Sequence, residues 1–472
     1  MTTLMHLQQV LGWLPGAQVE GALDVAIQRV HTDTRTIEPG DLFVALKGER
    51  FDANLLLAEA QRRGAVAALC HADAERTGLH MTCLVVPDTR VALGQLAGGW
   101  RAQFKLPLIA VTGSNGKTTV TQMLAAILAA YRPGDGSLAT QGNLNNDIGV
   151  PQTLLRLRSH HQIAVLELGM NHPGEIAQLA AMAQPSVAVV NNAQREHLEF
   201  MHSVRAVALE NGSVITAVGP AGTVVFPNDD AHAPLWQTLA GKRQQWTFSL
   251  QGPSDAHALS LTQAHWAEGT WSIQAQGLGQ QLRYQLHIAG QHNVKNSLAA
   301  AVAALAAGVD ARSVEQGLGA FVPVQGRSRS LVLSVEGRQV LLIDDAYNAN
   351  PDSVRAAIDV LADLAGPRLL VLGDMGEVGQ QGPQFHAEVG RYAKAKGVEH
   401  LICMGELAQV AAGAFDGAVY CANINQLLDA VKSQVARTRS VLVKGSRFMH
   451  MERVVDALLP HAVKNQERRH AP

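Results

Sequence analysis

The stretch of sequence that decides the fold is residues 106–120, LPLIAVTGSNGKTTV. Its apolar run ends at Val111 and predicts a buried β-strand, and the segment that begins at Lys117 has the length of a helix. Gly113 and Gly116 allow a tight turn between the two elements. Such a turn points several backbone N–H groups into one concavity at a helix N-terminus, which is a site for phosphate. The stretch therefore predicts a nucleotide site.

Two side chains of this loop indicate what it holds. Lys117 brings a positive charge to the β and γ phosphates, and the hydroxyl of Thr118 is placed to ligate Mg²⁺. The standard loop has a glycine where this chain has Val111, so the match is to a shortened GxxGKTT form. An ordinary glycine-rich turn with an exposed lysine is the alternative. The predicted nucleotide-binding residues of the loop are Gly113, Ser114, Asn115, Gly116, Lys117, Thr118 and Thr119.

Length and patterning predict a three-domain α/β fold. A chain of 472 residues is about three times the usual domain size of roughly 150. Apolar runs alternate with helical segments throughout, as in parallel sheets with crossover helices. We expect a small N-terminal α/β domain at 1–105, a central P-loop domain with an ATPase-like parallel sheet at 106–322, and a C-terminal Rossmann-like domain at 323–472. Four strand-like runs between 242 and 290 predict antiparallel strands added to the central sheet.

Composition restricts the partners of the chain. The formal net charge is −2, so no global positive field attracts nucleic acid. Four cysteines without CxxC spacing are typical of a reducing compartment, which predicts a cytoplasmic protein. The longest apolar stretch, 298–309, is too short to span a bilayer. We therefore expect no nucleic acid and no membrane span. We also expect a monomer.

Two further strand ends carry candidate metal ligands. The run at 163–176, IAVLELGMNHPGEI, places Glu167 at the end of a buried strand, where a carboxylate is costly unless it is paired or on a metal. His197 follows the next strand and reaches the same edge of the sheet. The alternatives are that Glu167 caps the helix beginning near Pro173 and that His197 is a solvated loop histidine.

Two polar loops predict contacts to a second ligand. TQGNLNNDIGVP at 140–151 contains neutral amides that suit a ligand with hydroxyls and carbonyls, although an asparagine-rich turn explains it equally. In DDAYNANPDSV at 344–354, Asn350 predicts a helix cap before Pro351, which leaves Asp344, Asp345 and Tyr347 unexplained. Two more strand-to-glycine turns, which carry Asp374, Glu377, Lys444 and Arg447, predict a binding face on this third unit.

Taken together, these motifs resemble the Mur ligase family. GSNGKTT resembles its ATP loop, ELGMNHPGEI its metal-carboxylate strand, NNAQREHLE its histidine-bearing strand end, and GQHNVKNSLAA its adenine-side helix. HTDTRTIEPGDLFVALKGERFDAN resembles its UDP-sugar domain. GNLNNDIGVP and DDAYNANP are more specific and resemble the family member that adds a dipeptide.

The resemblance implies an ATP-dependent, carbon–nitrogen bond-forming ligase of peptidoglycan precursor synthesis that works through an acyl phosphate. Its implied cofactors are ATP and Mg²⁺, and its implied substrates are UDP-N-acetylmuramoyl-tripeptide and D-alanyl-D-alanine. The implied catalytic residues are Lys117, Glu167, His197 and Arg327. The implied nucleotide contacts outside the loop are Asn293, Asn296, Arg327 and Asp345. The implied metal ligands are Thr118, Glu167 and His197. The implied substrate contacts are Thr34, Arg35, Asn143, Asn145, Asn146, Tyr347, Asn348 and Asn350.

One departure from the family motif adds a hypothesis. The family often carries a carbamoylated lysine on the helix after the histidine, and the matching segment here, VALENGSV, has Asn211 at that place. We expect the neighbouring carboxylate of Glu210 to supply the missing negative charge to a second metal.

Two other classes of function remain open at this point. A P-loop ATPase that uses hydrolysis to change shape would explain the phosphate loop alone, and it would release phosphate without an amine. A non-catalytic UDP-sugar-binding protein would bind its ligand without ATP turnover.

Overall fold

The computed structural model describes residues 3–252 and 255–461, and these residues form three large β-sheets and one two-stranded sheet. The five-stranded N-terminal sheet has the order β2-β7-β6-β5-β4, beside a β1-β3 pair. The strands of the N-terminal domain are β1 (Met5–His6), β2 (Gln18–Glu20), β3 (Ala26–Ile27), β4 (Arg29–His31), β5 (Asp41–Val44), β6 (Ala67–Cys70) and β7 (Thr82–Val85). Its helices are α1 (Leu7–Trp13), α2 (Leu57–Arg62) and α3 (Thr89–Arg101).

The central sheet has nine strands in the order β16-β15-β14-β13-β12-β11-β8-β10-β9. The strands are β8 (Leu108–Thr112), β9 (Ser137–Ala139), β10 (Ile163–Glu167), β11 (Val187–Val190), β12 (Thr223–Pro227), β13 (Gln244–Ser249), β14 (Ala258–Ala267), β15 (Thr270–Gly277) and β16 (Gln280–Leu286). The helices are α4 (Lys117–Tyr131), α5 (Gly149–Leu154), α6 (Glu175–Ala183), α7 (Leu198–Met201), α8 (Val204–Thr216), α9 (Ala233–Ala240), α10 (Gln291–Ala306) and α11 (Ala311–Ala320).

Strand β8 shows why the apolar run before the phosphate loop lies at the centre of this sheet. Leu108 and Ala110 are fully buried in one core cluster, which includes residues of α3 and α6, and Ile109 and Val111 are fully buried in another, which includes residues of α4 and α10. A strand covered on both faces needs apolar residues at every position, as this one has. The N-terminal helix α3 therefore supplies part of the cover of the central sheet.

The predicted antiparallel addition is partly wrong. Strand β13 pairs in parallel with both β12 and β14, so the parallel part of the sheet extends one strand pair further than expected. Only β14, β15 and β16 pair antiparallel. Without a helix-length segment between β13 and β14 the sequence predicts antiparallel strands, but these two strands pair in parallel.

The C-terminal sheet has six strands in the order β17-β18-β22-β19-β20-β21, all parallel except β17. The strands are β17 (Arg329–Val335), β18 (Arg338–Asp345), β19 (Arg368–Gly373), β20 (His400–Met404), β21 (Val419–Cys421) and β22 (Ser440–Lys444). The helices are α12 (Pro351–Ala362), α13 (Gly382–Ala395), α14 (Ala408–Phe415), α15 (Ile424–Val435) and α16 (Glu452–Leu458).

The predicted three-domain α/β class is confirmed, and each sheet lies within one of the three ranges expected from the sequence. The end of the third range, 462–472, lies outside the described residues. Among the helices of residues 3–252 and 255–461, none is long and apolar enough to cross a membrane.

Candidate active site

The sheet register brings three functional strand ends together. Glu167 pairs with Val111 across β10 and β8, and Val190 pairs with Thr112 across β11 and β8. The phosphate loop that follows Thr112 therefore lies between Glu167 on one side and the segment after Val190 on the other. This is the edge at which parallel α/β sheets bind ligands.

A cavity of about 1560 Å³ lies at this edge, and residues of the C-terminal domain form part of its lining. It is larger than a typical pocket for one small ligand, so it has room for a nucleotide and a second substrate. The predicted site residues that line it are Ser114, Asn115, Gly116, Lys117, Thr118, Thr119, Asn143, Asn145, Asn146, Glu167, His197, Asn293, Asn296, Arg327, Asp345, Tyr347, Asn348 and Asn350.

The phosphate loop turns as the sequence predicts. Gly116 has φ +80° and precedes α4, which begins at Lys117. A Cβ atom on Gly116 would lie 2.5 Å from Asn296 Oδ1 and 2.7 Å from Asn191 Nδ2. Both the backbone conformation and the close amides therefore require glycine at this position.

The ammonium of Lys117 lies inside the loop. Its Nζ donates to the carbonyl oxygen of Gly113 at 2.6 Å, to that of Ser114 at 3.2 Å, and to Glu196 Oε1 at 2.8 Å. The side chain is 13% exposed. Lys117 is therefore a largely buried residue held by carbonyl oxygens of the loop, and the alternative of an exposed lysine on an ordinary turn is wrong.

The segment after β11 holds the loop in shape. Asn115 donates its backbone N–H to Asn192 Oδ1 at 2.9 Å and its Nδ2 to Gln194 Oε1 at 2.6 Å. The backbone N–H of Gln194 donates to Ser114 Oγ at 2.8 Å. These contacts lie close to where phosphate would bind, and sequence reasoning missed both Asn192 and Gln194. The sequence signal that could have identified them is the segment NNAQ at 191–194, in which two asparagines and a glutamine follow a strand.

Glu167 fits a metal ligand. The residue is 2% exposed, and its Oε1 accepts from Asn145 Nδ2 at 2.7 Å and from Thr118 Oγ1 at 3.2 Å. Its Oε2 is buried without a hydrogen-bond partner among the described residues. A buried carboxylate oxygen without a partner is costly, and a cation beside the Thr118 hydroxyl would satisfy it. Helix capping does not explain Glu167, because its partners lie on the phosphate loop and on Asn145.

No preformed cluster of three or more His, Cys, Asp or Glu that could hold a metal occurs in the described part of the chain. This agrees with Mg²⁺ chemistry, since Mg²⁺ is usually held by one or two carboxylates together with phosphate oxygens of the substrate. Glu167 and the Thr118 hydroxyl therefore fit the protein share of such a site.

His197 lies between two carboxylates. Its Nδ1 lies 2.6 Å from Glu377 Oε2 of the C-terminal domain, and its Nε2 lies 3.5 Å from Glu196 Oε1. Burial lowers the pKa of His197, but the two carboxylates outweigh burial and raise the pKa to about 9. With its side chain 11% exposed, His197 is not a solvated loop histidine. An imidazolium has no free lone pair, so metal binding by His197 would require loss of its proton and stays a prediction.

The structure does not bring Glu210 to the cavity. Its two carboxylate oxygens accept the backbone N–H groups of Gly174 and Ile176, each at 2.8 Å, at the N-terminus of α6. A carboxylate at this position stabilises the helix through hydrogen bonds and the helix dipole. This corrects the expectation that Glu210 ligates a second metal, because its oxygens are already used. Asn211 next to it accepts from Thr112 Oγ1 at 2.6 Å and from Gly113 N at 3.0 Å, so Asn211 supports the loop.

Two predicted substrate contacts also lie outside the cavity. Arg35 is 83% exposed at its side chain and pairs with Asp33 at 2.6 Å, and Thr34 is buried in the same short turn of the N-terminal domain. Neither residue is among those that line the cavity. Their contact with a UDP-sugar stays a prediction for a separate surface.

The alternative of an asparagine-rich turn explains part of the loop at 140–151, and contact of this loop with a second ligand stays a prediction. Asn145 donates to Glu167, as described above, whereas Asn146 Oδ1 accepts the backbone N–H of Gly149 at 2.9 Å where α5 begins. The turn explanation therefore accounts for Asn146, and Asn145 instead orients the buried carboxylate.

The C-terminal domain contributes one face of the cavity. Asn350 caps α12 by accepting from Ser353 N at 2.9 Å, as predicted, and also donates its Nδ2 to Asn115 Oδ1 of the phosphate loop at 2.8 Å. Asp345 pairs with Lys444, which is 3% exposed. Asn350 of the third domain thus contacts the phosphate loop directly.

Arg327 lies in the segment between the central and C-terminal sheets, and it contacts the phosphate loop. Its Nη2 donates to Thr118 Oγ1 at 3.2 Å, and its guanidinium carbon lies 4.0 Å from the centroid of the Tyr347 ring. Stacking on an aromatic ring fixes a guanidinium in place without using its hydrogen-bond donors. Arg327 can therefore bind an anion at the loop.

On the other side of the loop, α10 supplies two buried amides. Asn296 Oδ1 accepts from Asn191 Nδ2 at 2.9 Å, and Asn296 Nδ2 donates to Asn293 Oδ1 at 3.0 Å. Both asparagines line the cavity, as the resemblance implied. Their contact with adenine stays a prediction.

Sequence reasoning missed Arg195, which joins the central and C-terminal domains. Its guanidinium donates to Asp352 Oδ1 at 2.6 Å and to Glu388 Oε2 at 2.8 Å, and its backbone N–H donates to Asp352 Oδ2 at 2.8 Å. The guanidinium also lies 5.1 Å from the centroid of the Phe385 ring. Gln194 and Glu196, the neighbours of Arg195 in sequence, both contact the phosphate loop. Arg195 therefore links the contact between the two domains to the conformation of the loop.

We expect Arg195→Ala to weaken contact between the two domains by about 1 kcal/mol, roughly a fivefold change in the ratio of closed to open molecules. Distance between dyes on the two domains, read by energy transfer, measures this change. Arg195→Lys keeps the charge but loses the bidentate geometry of the guanidinium. We therefore expect its ratio of closed to open molecules to lie between those of the unmodified protein and Arg195→Ala. An unchanged distance distribution in Arg195→Ala would contradict the assignment.

Comparison with known proteins agrees with the geometry. Residues 26–101 match the family model described as "Mur ligase family, catalytic domain", residues 111–304 match "Mur ligase middle domain", and residues 329–447 match "Mur ligase, glutamate ligase domain". The chain belongs to the Mur ligase family.

Relatives within this family share a specific name. The chain is 38% identical over 459 residues to the UDP-N-acetylmuramoyl-tripeptide–D-alanyl-D-alanine ligase of Escherichia coli, covering 97% of this chain and 98% of the relative. It is 33% identical to the ligase of the same name from Bacillus subtilis, with coverage of 96% and 97%.

Solved structures of the same kind have the same fold. A crystal structure of MurF from Acinetobacter baumannii superposes with a TM-score of 0.88 at 34% identity, covering 96% of this chain and 98% of that one. MurF ligase from Thermotoga maritima, solved in complex with ADP, superposes with a TM-score of 0.80 at 25% identity, covering 94% and 98%.

Proposed function

We propose that this chain is the ATP-dependent ligase that joins D-alanyl-D-alanine to UDP-N-acetylmuramoyl-tripeptide, giving the UDP-N-acetylmuramoyl-pentapeptide, ADP and phosphate. Its relatives with that name cover nearly the whole chain, and the sequence motifs specific to dipeptide addition line the cavity. The observation that carries the proposal is the joining of the two domains at the phosphate loop, where Asn350 and Arg327 meet Asn115 and Thr118.

The chemistry requires an activated carboxylate, because joining a carboxylate to an amine in water is unfavourable. A carboxylate oxygen of the tripeptide attacks the γ phosphorus of ATP, and ADP leaves. The dipeptide amine then attacks the carbonyl carbon of the acyl phosphate, phosphate leaves, and the amine loses a proton. Neither step needs a nucleophile from the protein.

The residues of the cavity provide positioning and charge. The backbone N–H groups of the loop and the ammonium of Lys117 bind the phosphates, and Arg327 adds a second cation beside Thr118. Glu167 and the Thr118 hydroxyl would hold Mg²⁺, which neutralises negative charge on the phosphates when bound. Closure of the C-terminal domain through Arg195 and Asn350 excludes water, which would hydrolyse the acyl phosphate.

A cytoplasmic location belongs to the same proposal, since the reaction uses ATP and a UDP-linked precursor.

Mass spectrometry of the product tests the proposed function. We expect the pentapeptide product, with one ADP and one phosphate for each peptide bond formed, when ATP, UDP-N-acetylmuramoyl-tripeptide and D-alanyl-D-alanine are all present. Omission of the dipeptide, or its replacement by single amino acids, is the control and should give little phosphate. A shape-changing ATPase would release phosphate in that control, and a non-catalytic sugar-nucleotide-binding protein would release none in any mixture.

A further inference from the structure

The C-terminal domain presents an arginine and an aromatic ring to the cavity at one turn. Arg447 and Phe448 follow β22, and both line the cavity. The side chain of Arg447 is 57% exposed and Phe448 is 59% exposed. The sequence predicted a binding face that includes Arg447, but it did not indicate which group this residue binds. An exposed aromatic ring inside a ligand cavity is typical of a surface that a ligand covers.

Neighbouring loops hold this turn in place. Strands β18, β22 and β19 are parallel neighbours, so the loops that follow them meet at one edge of the C-terminal sheet. Ser446 Oγ donates to the carbonyl oxygen of Ala349 at 2.9 Å and accepts from Gly376 N at 2.6 Å. A Cβ atom on Gly376 would lie 2.9 Å from Phe448 Cε1, so the ring lies against this loop. The turn that carries Arg447 is therefore fixed to the loops on both sides.

The ring of Tyr347 relates Arg447 to the phosphate loop. The guanidinium carbon of Arg447 lies 5.5 Å from the centroid of this ring, and that of Arg327 lies 4.0 Å from the same centroid. Arg327 donates to Thr118 of the phosphate loop, so it lies at the end of the cavity where the acyl phosphate would form. An extended dipeptide spans about 7 Å. A dipeptide whose amine lies at the acyl phosphate can therefore extend past Tyr347 to Arg447.

The guanidinium of Arg447 has donors left for an anion. Its Nη1 donates to Glu452 Oε1 at 3.1 Å, and its other N–H groups have no hydrogen-bond partner among residues 3–252 and 255–461. Lys444, which also lines the cavity, is by contrast 3% exposed and paired with Asp345. A guanidinium binds a carboxylate through two parallel hydrogen bonds, which fixes both the position and the orientation of the carboxylate.

We propose that Arg447 binds the terminal carboxylate of the incoming dipeptide and that Phe448 packs against the methyl groups of the dipeptide. The proposal deepens the proposed function and rests on it. With its carboxylate on Arg447, a dipeptide places its amine at the acyl phosphate, whereas a single amino acid is too short to reach both. Arg447 therefore selects a substrate of dipeptide length that ends in a negative charge.

A dipeptide without the terminal charge tests the proposal. D-alanyl-D-alaninamide keeps the amine, the methyl groups and the length of D-alanyl-D-alanine, but its C-terminus is neutral. We expect the unmodified protein to use the amide with a KM at least about tenfold higher and a kcat within about threefold, because the lost contact is made equally in the ground state and the transition state.

Substitution of Arg447 by glutamine should remove this discrimination. In Arg447→Gln we expect the KM for D-alanyl-D-alanine to rise at least about tenfold and the KM for ATP to stay within about twofold. The dipeptide and its amide should then have nearly equal KM values, since the variant has no charge at this position with which to distinguish them. Steady-state rates of product formation with each substrate in turn measure these constants.

Three further variants make the result specific. Arg447→Lys keeps the charge without the bidentate geometry, so its KM for the dipeptide should be intermediate. Phe448→Ala removes apolar contact but no charge, so it should raise the KM for the dipeptide and for the amide by the same factor. Arg437→Gln removes an exposed arginine of the same domain that does not line the cavity, and it should leave both KM values unchanged.

The opposite outcomes overturn the proposal. Equal KM values for the dipeptide and the amide in the unmodified protein, or an unchanged dipeptide KM in Arg447→Gln, would exclude Arg447 as the carboxylate site. A rise in the KM for ATP alone would show that Arg447 binds the nucleotide instead. A lower kcat with unchanged KM values would show that Arg447 acts only through Tyr347 and Arg327. Failure of the proposed function is distinguishable, since the unmodified protein would then form no product from the dipeptide.

Discussion

Replacement of Lys117 by alanine is expected to lower kcat by about 100-fold or more. Nζ of Lys117 lies among the carbonyl oxygens of the phosphate loop and is the cation available for the transferred phosphate. Removing one preorganised electrostatic contact from such a site costs on the order of 10² to 10³ in turnover. Steady-state rates of product formation at saturating ATP measure the loss.

The control for this variant is Lys396→Ala, which removes an exposed lysine paired with Asp359 on the surface of the C-terminal domain. It should leave kcat within about twofold of normal, since surface pairs contribute little. A near-normal kcat for Lys117→Ala would show that Lys117 has no role in the reaction. It would also contradict the interpretation that the loop binds the phosphates of ATP.

Glu167→Gln should have an effect of similar size, with a loss of about 100-fold or more in kcat/KM and a higher Mg²⁺ requirement. The amide keeps the shape of the carboxylate and can still accept from Thr118 and Asn145 through its oxygen. Because the change also removes a buried charge with an unsatisfied oxygen, we expect the Tm of the ligand-free protein to stay the same or rise.

Measuring both the Mg²⁺ requirement and the Tm of Glu167→Gln distinguishes a metal ligand from a carboxylate that only supports the fold. If Glu167 only supported the fold, Glu167→Gln would lower Tm and leave the Mg²⁺ requirement unchanged. Glu406→Gln, an exposed carboxylate on the C-terminal domain, is the matched control and should change neither quantity.

Much of the candidate site could be predicted because its parts are local. A strand, a glycine turn and a helix follow one another within 106–120, and their order is enough to place a phosphate loop. Glu167 stands out since a carboxylate ends an otherwise apolar run. Asn350 precedes a proline at a helix start, and it caps α12 as expected.

The errors came from residues whose role depends on distant partners. Glu210 was expected at a metal because of its neighbour in sequence, but the N-terminus of α6 lies against it and uses both of its oxygens. Sequence reasoning missed Arg195 and Glu196, which precede His197, although the segment REHLE at 195–199 contains several charged residues. Their partners, Asp352, Glu388 and Lys117, lie far away along the chain.

The sequence by itself determined the three-domain α/β plan, the phosphate loop and the strand-end carboxylate, because short-range apolar patterning and backbone geometry are written in consecutive residues. Only the tertiary structure decided which charges meet. Whether a buried carboxylate caps a helix, pairs with a lysine or keeps an oxygen free for a cation depends on which elements pack around it, and packing joins residues that the sequence keeps apart.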